Sequence, residues 1–287
     1  MSDFTGTRGT AWFHALTGHV APLSGDPKSV LTADVSIGKE RARLLCVVPN
    51  PQARFPCARH GEVGLEEAYT LATRVREIID QDKDTTKRAI VAIVDVKSQA
   101  YGRREETAAL FLAAAAAADA YGSARLAGHP VVTLIVGHAL SGAFLTHGYQ
   151  ANRILAFDDA GVRIHAMHKE AAARITRRSV ASLEKLGKAI PPLSYDIHDF
   201  AKLGLLHKLL HVENPDQPSE SETRKVRDEL LAAIEDTRHG PVDLRNRLES
   251  KEARSTRSAS IRMRALLESQ WREGACPVTW LKFWPTH

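Results

Sequence analysis

The sequence predicts an α/β fold built on a mostly parallel sheet. Three observations carry that expectation: short continuous runs of β-branched residues, helix-forming segments between them, and Gly- or Pro-containing loops at the junctions. With 287 residues, 44% of them hydrophobic, the chain can bury one large core with an appendage.

In chain order, Leu44–Val48 is an apolar run of strand length, and Leu65, Ala68, Leu71, Ala72, Val75, Ile78 and Ile79 then mark one face of an amphipathic helix. Ala89–Asp95 is a continuous strand, which suits a sheet covered on both faces. Glu105–Tyr121 reads as a helix whose alanine tract, Ala113–Ala118, packs closely through short side chains. Val131–Val136 is the next strand, followed by a small-residue turn, a helix over Ser141–Tyr149, and strands at Ile154–Phe157 and Val162–His165. Beyond Met167 the strand pattern stops, and helices are expected over Lys169–Ile175, Ser179–Leu186, Asp199–Leu210, Glu220–Asp236 and Arg257–Glu273. The expected organisation is a core over residues 1–210, including an N-terminal extension, and a helical region over 211–287 that packs on the core or on a partner.

Composition narrows the function. Charged residues are 25% and aromatics 6%, so neither a disordered chain nor an aromatic-rich binder is favoured. A net charge of +5 suits an acidic partner or a phosphorylated ligand but does not argue for nucleic acid. Cys46, Cys57 and Cys276 are an odd number without C-x-x-C spacing, which points away from a disulfide framework or a zinc site and toward a reducing compartment. The N-terminal residues carry no basic-then-apolar leader and no run is long enough for a membrane span, so a cytoplasmic protein is expected.

Two junctions concentrate the candidates for chemistry, because each follows a strand and opens a helix, where first-turn amides lack partners. The first is Asp95–Glu106 and the second is Gly137–Phe144. One reading is an oxyanion hole in which the amides of Gly142 and Ala143 face Ser98 and Gln99 and polarise a thioester carbonyl. The bland alternative is that the glycines only make tight turns. Another alternative is a nucleophile elbow at Ser141, with Asp196, His198, Asp199 or His207 completing a triad, although Ala139 and Ala143 replace both motif glycines. No G-x-G-x-x-G follows a strand, and there is no P-loop. His165 and His168 lack a third metal ligand nearby, which leaves His165 as a hydrogen-bonded or site-lining residue. Lys169–Lys188 is strongly basic, as a solvated face or as a surface for an acidic carrier. Cys57 has a cation nearby but no paired base, and is read as incidental.

Taken together, Val94–Glu106, Gly137–Arg153, His165-Ala-Met and Arg174–Ser179 resemble the gamma subunit of biotin-independent malonate decarboxylase over roughly residues 40 to 210. The wider pattern is similar to the carboxyltransferase subunits of biotin-dependent acyl-CoA carboxylases, which belong to the crotonase superfamily. The resemblance implies a crotonase-like (ClpP/crotonase) spiral of strand–helix units rather than a doubly wound sheet. It also implies an obligate, homologous beta subunit with the active site between the two chains, together with acyl carrier protein and acyl carrier protein transferase subunits. The implied substrate is a malonyl thioester on the carrier's dephospho-CoA-derived prosthetic group, decarboxylated to the acetyl thioester without biotin or metal.

By residue, the resemblance gives Gly142 and Ala143, beside Ser141, the oxyanion-hole turn, and puts Ser98 and Gln99 in the corresponding first loop, with Lys97 where relatives commonly have proline. Tyr101, His138 and His165 are candidate proton donors, and Arg103, Arg104, Arg177 and Arg178 are candidates for carrier or prosthetic-group contacts. A biotin-dependent carboxyltransferase subunit, a serine hydrolase using Ser141 and a non-catalytic scaffold remain as alternatives.

Overall fold

The computed structural model describes residues 7–273, with side chains through Trp271; Cys276 lies outside the described residues. The chain opens with α1 (Arg8–Thr17) and an antiparallel hairpin, β1 (Val30–Ile37) and β2 (Glu40–Val47). Parallel strand–helix units come next: α2 (Leu65–Gln81), β3 (Ala89–Val96), α3 (Arg103–Thr107), α4 (Leu110–Leu126), β4 (Val131–Leu140), α5 (Ser141–Thr146), β5 (Arg153–Phe157) and β6 (Arg163–His165). The remainder is α6 (Lys169–Thr176), α7 (Val180–Ala189), α8 (Ile197–Lys202), β7 (Lys208–Leu210), α9 (Glu220–His239), α10 (Asn246–Glu249), α11 (Lys251–Thr256) and α12 (Ser258–Glu273).

The sheet runs β1-β2-β3-β4-β5-β7, and β6 pairs with β4 beyond the end of β5. β4 thus serves two partners in succession: Val132–Ile135 pair with β5, and His138–Leu140 pair with β6. The change of partner coincides with a register break, since Val94 pairs with Ile135 but Val96 with Ala139. A bulge of this kind bends a strand and re-aims the residues beyond it. Isolated bridges from Val63 to Gln99 and from Arg163 to Asp196 extend the bent tier beyond the strand ends.

Almost every residue of β3 and β4 is buried, so both faces of the sheet are covered. α2 and α4 pack on each other, and α1 and α9 form a second pair against the sheet. Trp12, Phe13 and Leu16 of α1 are fully buried, Trp12 meeting Phe157 edge-on at 4.6 Å. Val226, Leu230, Ala233 and Ile234 of α9 join the same core.

Several expectations change. α1 and β1 lie in the stretch before Leu44, read as an N-terminal extension with no element assigned to it. The expected helix over Glu105–Tyr121 is two helices, broken where Ala109 turns left-handed at φ 62°. The expected helix over Asp199–Leu210 stops at Lys202; Gly204 (φ +72°) turns the chain back, and Lys208–Leu210 pairs with the free edge of β5. Strands therefore do not end at Met167: the unpaired amides and carbonyls of that edge take up β7. β4 runs on past Val136 to Leu140 because β6 pairs with its extension, and α5 ends at Thr146.

Candidate functional site

The site is assembled on Asp95. Its Oδ1 accepts the His138 N–H at 3.0 Å and its Oδ2 the Gly9 N–H at 3.2 Å, so one carboxylate closes the β3–β4 bulge and anchors α1. Burial alone would raise the Asp95 pKa, but hydrogen bonds from His138 and Gly9 outweigh it and hold the carboxyl below its ordinary value. A Cβ on Gly137 would lie 2.2 Å from Asp95 Oδ1, so this position must be glycine for the carboxylate to sit there.

Beyond the bulge, β4 delivers Ser141, at φ 63°, directly into α5. Left-handed backbone at a non-glycine residue is costly and occurs where the surroundings hold it. Here the Ser141 Oγ shares a 2.8 Å hydrogen bond with the Tyr101 hydroxyl and donates a long one, 3.4 Å, to Gln99 Oε1. The first loop is fixed from the other side, where the Val63 N–H donates to the Ser98 carbonyl at 3.0 Å and the Ala100 N–H to the Val63 carbonyl at 2.9 Å. Ser98 spends its hydroxyl on the Gln99 carbonyl at 2.6 Å.

The structure therefore brings together Gln99, Tyr101, Ser141 and Gly142. Leu140 gives α5 no side-chain cap, and the amides of Gly142 and Ala143 belong to its first turn, where no preceding helical carbonyl accepts them. A groove of about 290 Å³ starts at Gln99 and Gly142 and runs between Leu145 and Thr146 on one side and Phe111, Ala114, Ala115 and Ala118 on the other. The alanine tract, assigned no chemistry from sequence, forms its wall. Its lip is apolar, with Phe111 and Leu145 62% and 42% exposed, and Leu112, the residue after Phe111, is 60% exposed. A larger cavity, about 730 Å³, lies away from these residues between the end of α1 and the β1–β2 hairpin, lined by Asp34, Arg41, Arg88 and Arg227.

The other candidates separate. His138 is half-exposed, its Nδ1 3.6 Å from Asp95 Oδ1. His165 pairs in register with Leu140 but is a strut: its Nδ1 lies against the main chain of Met167, a backbone hydrogen bond ties it to Pro192, and its ring stacks on Tyr195 at 4.2 Å. Burial lowers its pKa, which keeps the ring neutral. His168 is the N-cap residue of α6. Arg103, Arg104, Arg177 and Arg178 are exposed and form no ion pair among the described residues, with the first two just beyond Tyr101 and the last two after α6.

Among the described residues, no triad of the kind a serine hydrolase uses forms around Ser141. His198 is held between Asp196, at 2.7 Å, and Asp158, at 2.8 Å, while Asp199 pairs with Lys202 and His207 faces Asp236. Ser141 has the Tyr101 phenol and the Gln99 carboxamide for partners and no imidazole among the described residues, which gives the hydrolase alternative no support. Asp95 and Gly137 were missed as a pair; their signal is an Asp ending one strand and a Gly inside the next.

Comparison with known proteins agrees with this geometry. The family model for MdcE, the malonate decarboxylase gamma subunit, matches residues 58–271. A curated relative from Malonomonas rubra, malonyl-S-ACP:biotin-protein carboxyltransferase MADD, is 37% identical over 194 residues, and the match spans 66% of each chain, just under two thirds. Two Pseudomonas malonate decarboxylase structures are similar over the whole of their matching chains: a hetero-tetramer in complex with coenzyme A (TM-score 0.88, 52% identity, 92% of this chain) and an MdcD-MdcE hetero-dimer (0.85, 49%, 93%). A chain of the transcarboxylase 12S hexamer shares the fold alone, at TM-score 0.52 and 16% identity, covering 71% of this chain and 35% of that one. The fold is thus the crotonase-like carboxyltransferase fold, and this chain belongs to the malonate decarboxylase gamma-subunit family.

Proposed function

We propose that this chain, with a homologous beta subunit, decarboxylates a malonyl thioester carried on an acyl carrier protein. The observation that carries the reading is the Ser141–Gly142–Ala143 turn facing the Gln99–Tyr101 loop at the head of a groove, in a chain of this family. The thioester carbonyl is placed against the Gly142 and Ala143 amides. The bond between the malonyl carboxylate and the α-carbon breaks, carbon dioxide leaves, and the electron pair becomes an enolate whose oxygen those amides hold; such donors are each worth about 3 kcal/mol. One proton returned to the α-carbon gives the acetyl thioester.

Of the three candidate donors, Tyr101 suits the last step best. It is 55% exposed, and its hydroxyl meets Ser141 beside the turn, whereas His165 Nδ1 is engaged by the main chain of Met167. The Ser98 and Gln99 loop supplies the facing wall. The beta subunit is assigned to the exposed lip at Phe111 and Leu145 and to the adjoining Leu112, which would exclude water from the groove. Arg103, Arg104, Arg177 and Arg178 are assigned to the carrier and the phosphates of its dephospho-CoA-derived arm. The carrier and its transferase complete a cytoplasmic complex, and the reaction uses neither biotin nor a metal.

The test is release of carbon dioxide from malonyl-thioester carrier by this chain, by the beta subunit and by the mixture, without biotin. Activity confined to the mixture supports the reading; a folded mixture that is inactive until a biotinylated acceptor is added would move it to a carboxyltransferase.

A further inference from the structure

The side chain of Gln99 lies on Gly142, one of the two residues against whose amides the proposed substrate carbonyl is placed. A Cβ built on Gly142 would meet Gln99 Oε1 at 1.9 Å and the carboxamide carbon at 2.9 Å, so the amide group is seated on the open face of Gly142. The same oxygen accepts the Ser141 hydroxyl at 3.4 Å, and Gln99 and Gly142 together form the head of the groove. The carbonyl end of the carboxamide faces the turn, with Nε2 farther away, at 3.5 Å from that Cβ position. A planar carbonyl with its oxygen on the Ser141–Gly142 turn has the shape and polarity of a thioester carbonyl. Nothing but glycine at position 142 leaves room for either.

Resting on the reading of the preceding subsection, we propose that the Gln99 carboxamide is a resident occupant of the thioester carbonyl's place and is displaced when substrate enters from the groove. Gln99 is then a positioning residue: it keeps the turn formed and shielded from water between turnovers and leaves when a better-placed carbonyl arrives. Its hold is light, since the one hydrogen bond is long and the side chain is only half-buried. A self-occupied site lowers apparent substrate affinity by the fraction of molecules in which it is open. Departure of the carboxamide also frees the Ser141 hydroxyl proton, leaving Tyr101 as the partner of that hydroxyl.

The experiment compares wild type, Gln99→Ala, Gln99→Asn and Gln99→Glu in the reconstituted beta–gamma complex, by steady-state kinetics on malonyl-thioester carrier and by hydrogen exchange at the Gly142 and Ala143 amides without substrate. The shorter side chains of the Ala and Asn variants cannot reach the turn. They should lower KM about three- to tenfold, with the gain in KM rather than kcat, and speed exchange at both amides. The Glu variant, which keeps the reach and repels the malonyl carboxylate, should raise KM. An unchanged or raised KM in Gln99→Ala, or unchanged exchange at Gly142 and Ala143, overturns the proposal. A wild-type complex without turnover would count against the decarboxylase reading instead, and amide exchange would then decide the seat of the carboxamide by itself.

Discussion

Ser141 Oγ and the Tyr101 hydroxyl lie 2.8 Å apart, joining the turn after β4 to the loop after β3 across 40 residues of sequence. This bond couples the strained residue of the turn to the group assigned to return the proton.

Removing the phenol should therefore cost more than removing its partner. Tyr101→Phe is expected to lower kcat about 100-fold, the size of effect typical of a lost general acid. Ser141→Ala, which keeps the proton donor but loses a hydrogen bond, should lower it about tenfold. The double variant should be little worse than Tyr101→Phe alone, because both changes remove the same bond. Additive losses in this cycle, measured as kcat on malonyl-thioester carrier, would separate the two residues.

The bulge depends on Gly137. Its missing Cβ leaves the space that Asp95 Oδ1 fills, 2.2 Å from where that carbon would be. Gly137→Ala should destabilise the protein by about 1–3 kcal/mol, as overpacking of a well-filled site does. It should also reduce turnover, because the displaced segment is the one that carries Ser141. Urea unfolding together with the decarboxylation rate checks both.

The plan of the fold was legible where apolar runs had one length and one period. β3, α2 and β5 follow from pattern because burial alone sets their positions. α1 was not, since its buried Trp12, Phe13 and Leu16 are set among Gly, Thr and His residues of weak helix propensity. The break at Ala109 leaves no mark in the sequence, because alanine is the residue expected to continue a helix. Leu205–Leu210 is apolar enough for a helix or a strand, and only the free edge of β5 decides for β7. In the site, the two loops were legible as strand-to-helix junctions. The Tyr101–Ser141 bond and the Asp95 clasp were not, because they join residues that only the β3–β4 register brings side by side.

Acid should weaken the fold through His147. This ring is fully buried, with Nδ1 2.9 Å from the Tyr121 hydroxyl and Nε2 3.0 Å from the Ile93 carbonyl, and burial pushes its pKa down to about 4. The unfolded chain takes up its proton near pH 6.5, whereas the native chain does so only near 4. Stability contributed by the neutral ring is thus complete above about pH 6.5 and falls between there and pH 4, by about 3 kcal/mol in all. Urea unfolding at pH 7 and pH 5 should show part of this loss, and His147→Phe should flatten that segment while lowering stability at pH 7, since the Tyr121 hydroxyl is left unpaired.

The apolar lip should matter for assembly rather than folding. Phe111 and Leu112 are 62% and 60% exposed, so aspartate at either position costs the isolated chain little. In the complex, Phe111→Asp should weaken association with the beta subunit about tenfold or more, as loss of a buried aromatic anchor does. Sedimentation of the mixed subunits checks this, with the thermal midpoint of the free chain as control.

In the proposed reaction the Gly142–Ala143 turn holds an enolate, and that enolate also forms when a proton is removed from the acetyl thioester. The most direct measurement tracks the methyl protons of acetyl-thioester carrier in D2O with the assembled complex. The wild-type complex is predicted to wash deuterium into the methyl group, and Gly142→Pro, which removes one of the two N–H donors, is predicted to abolish the exchange while still binding the beta subunit. A complex that releases carbon dioxide yet exchanges no methyl protons, or a Gly142→Pro variant that exchanges as fast as wild type, would contradict it.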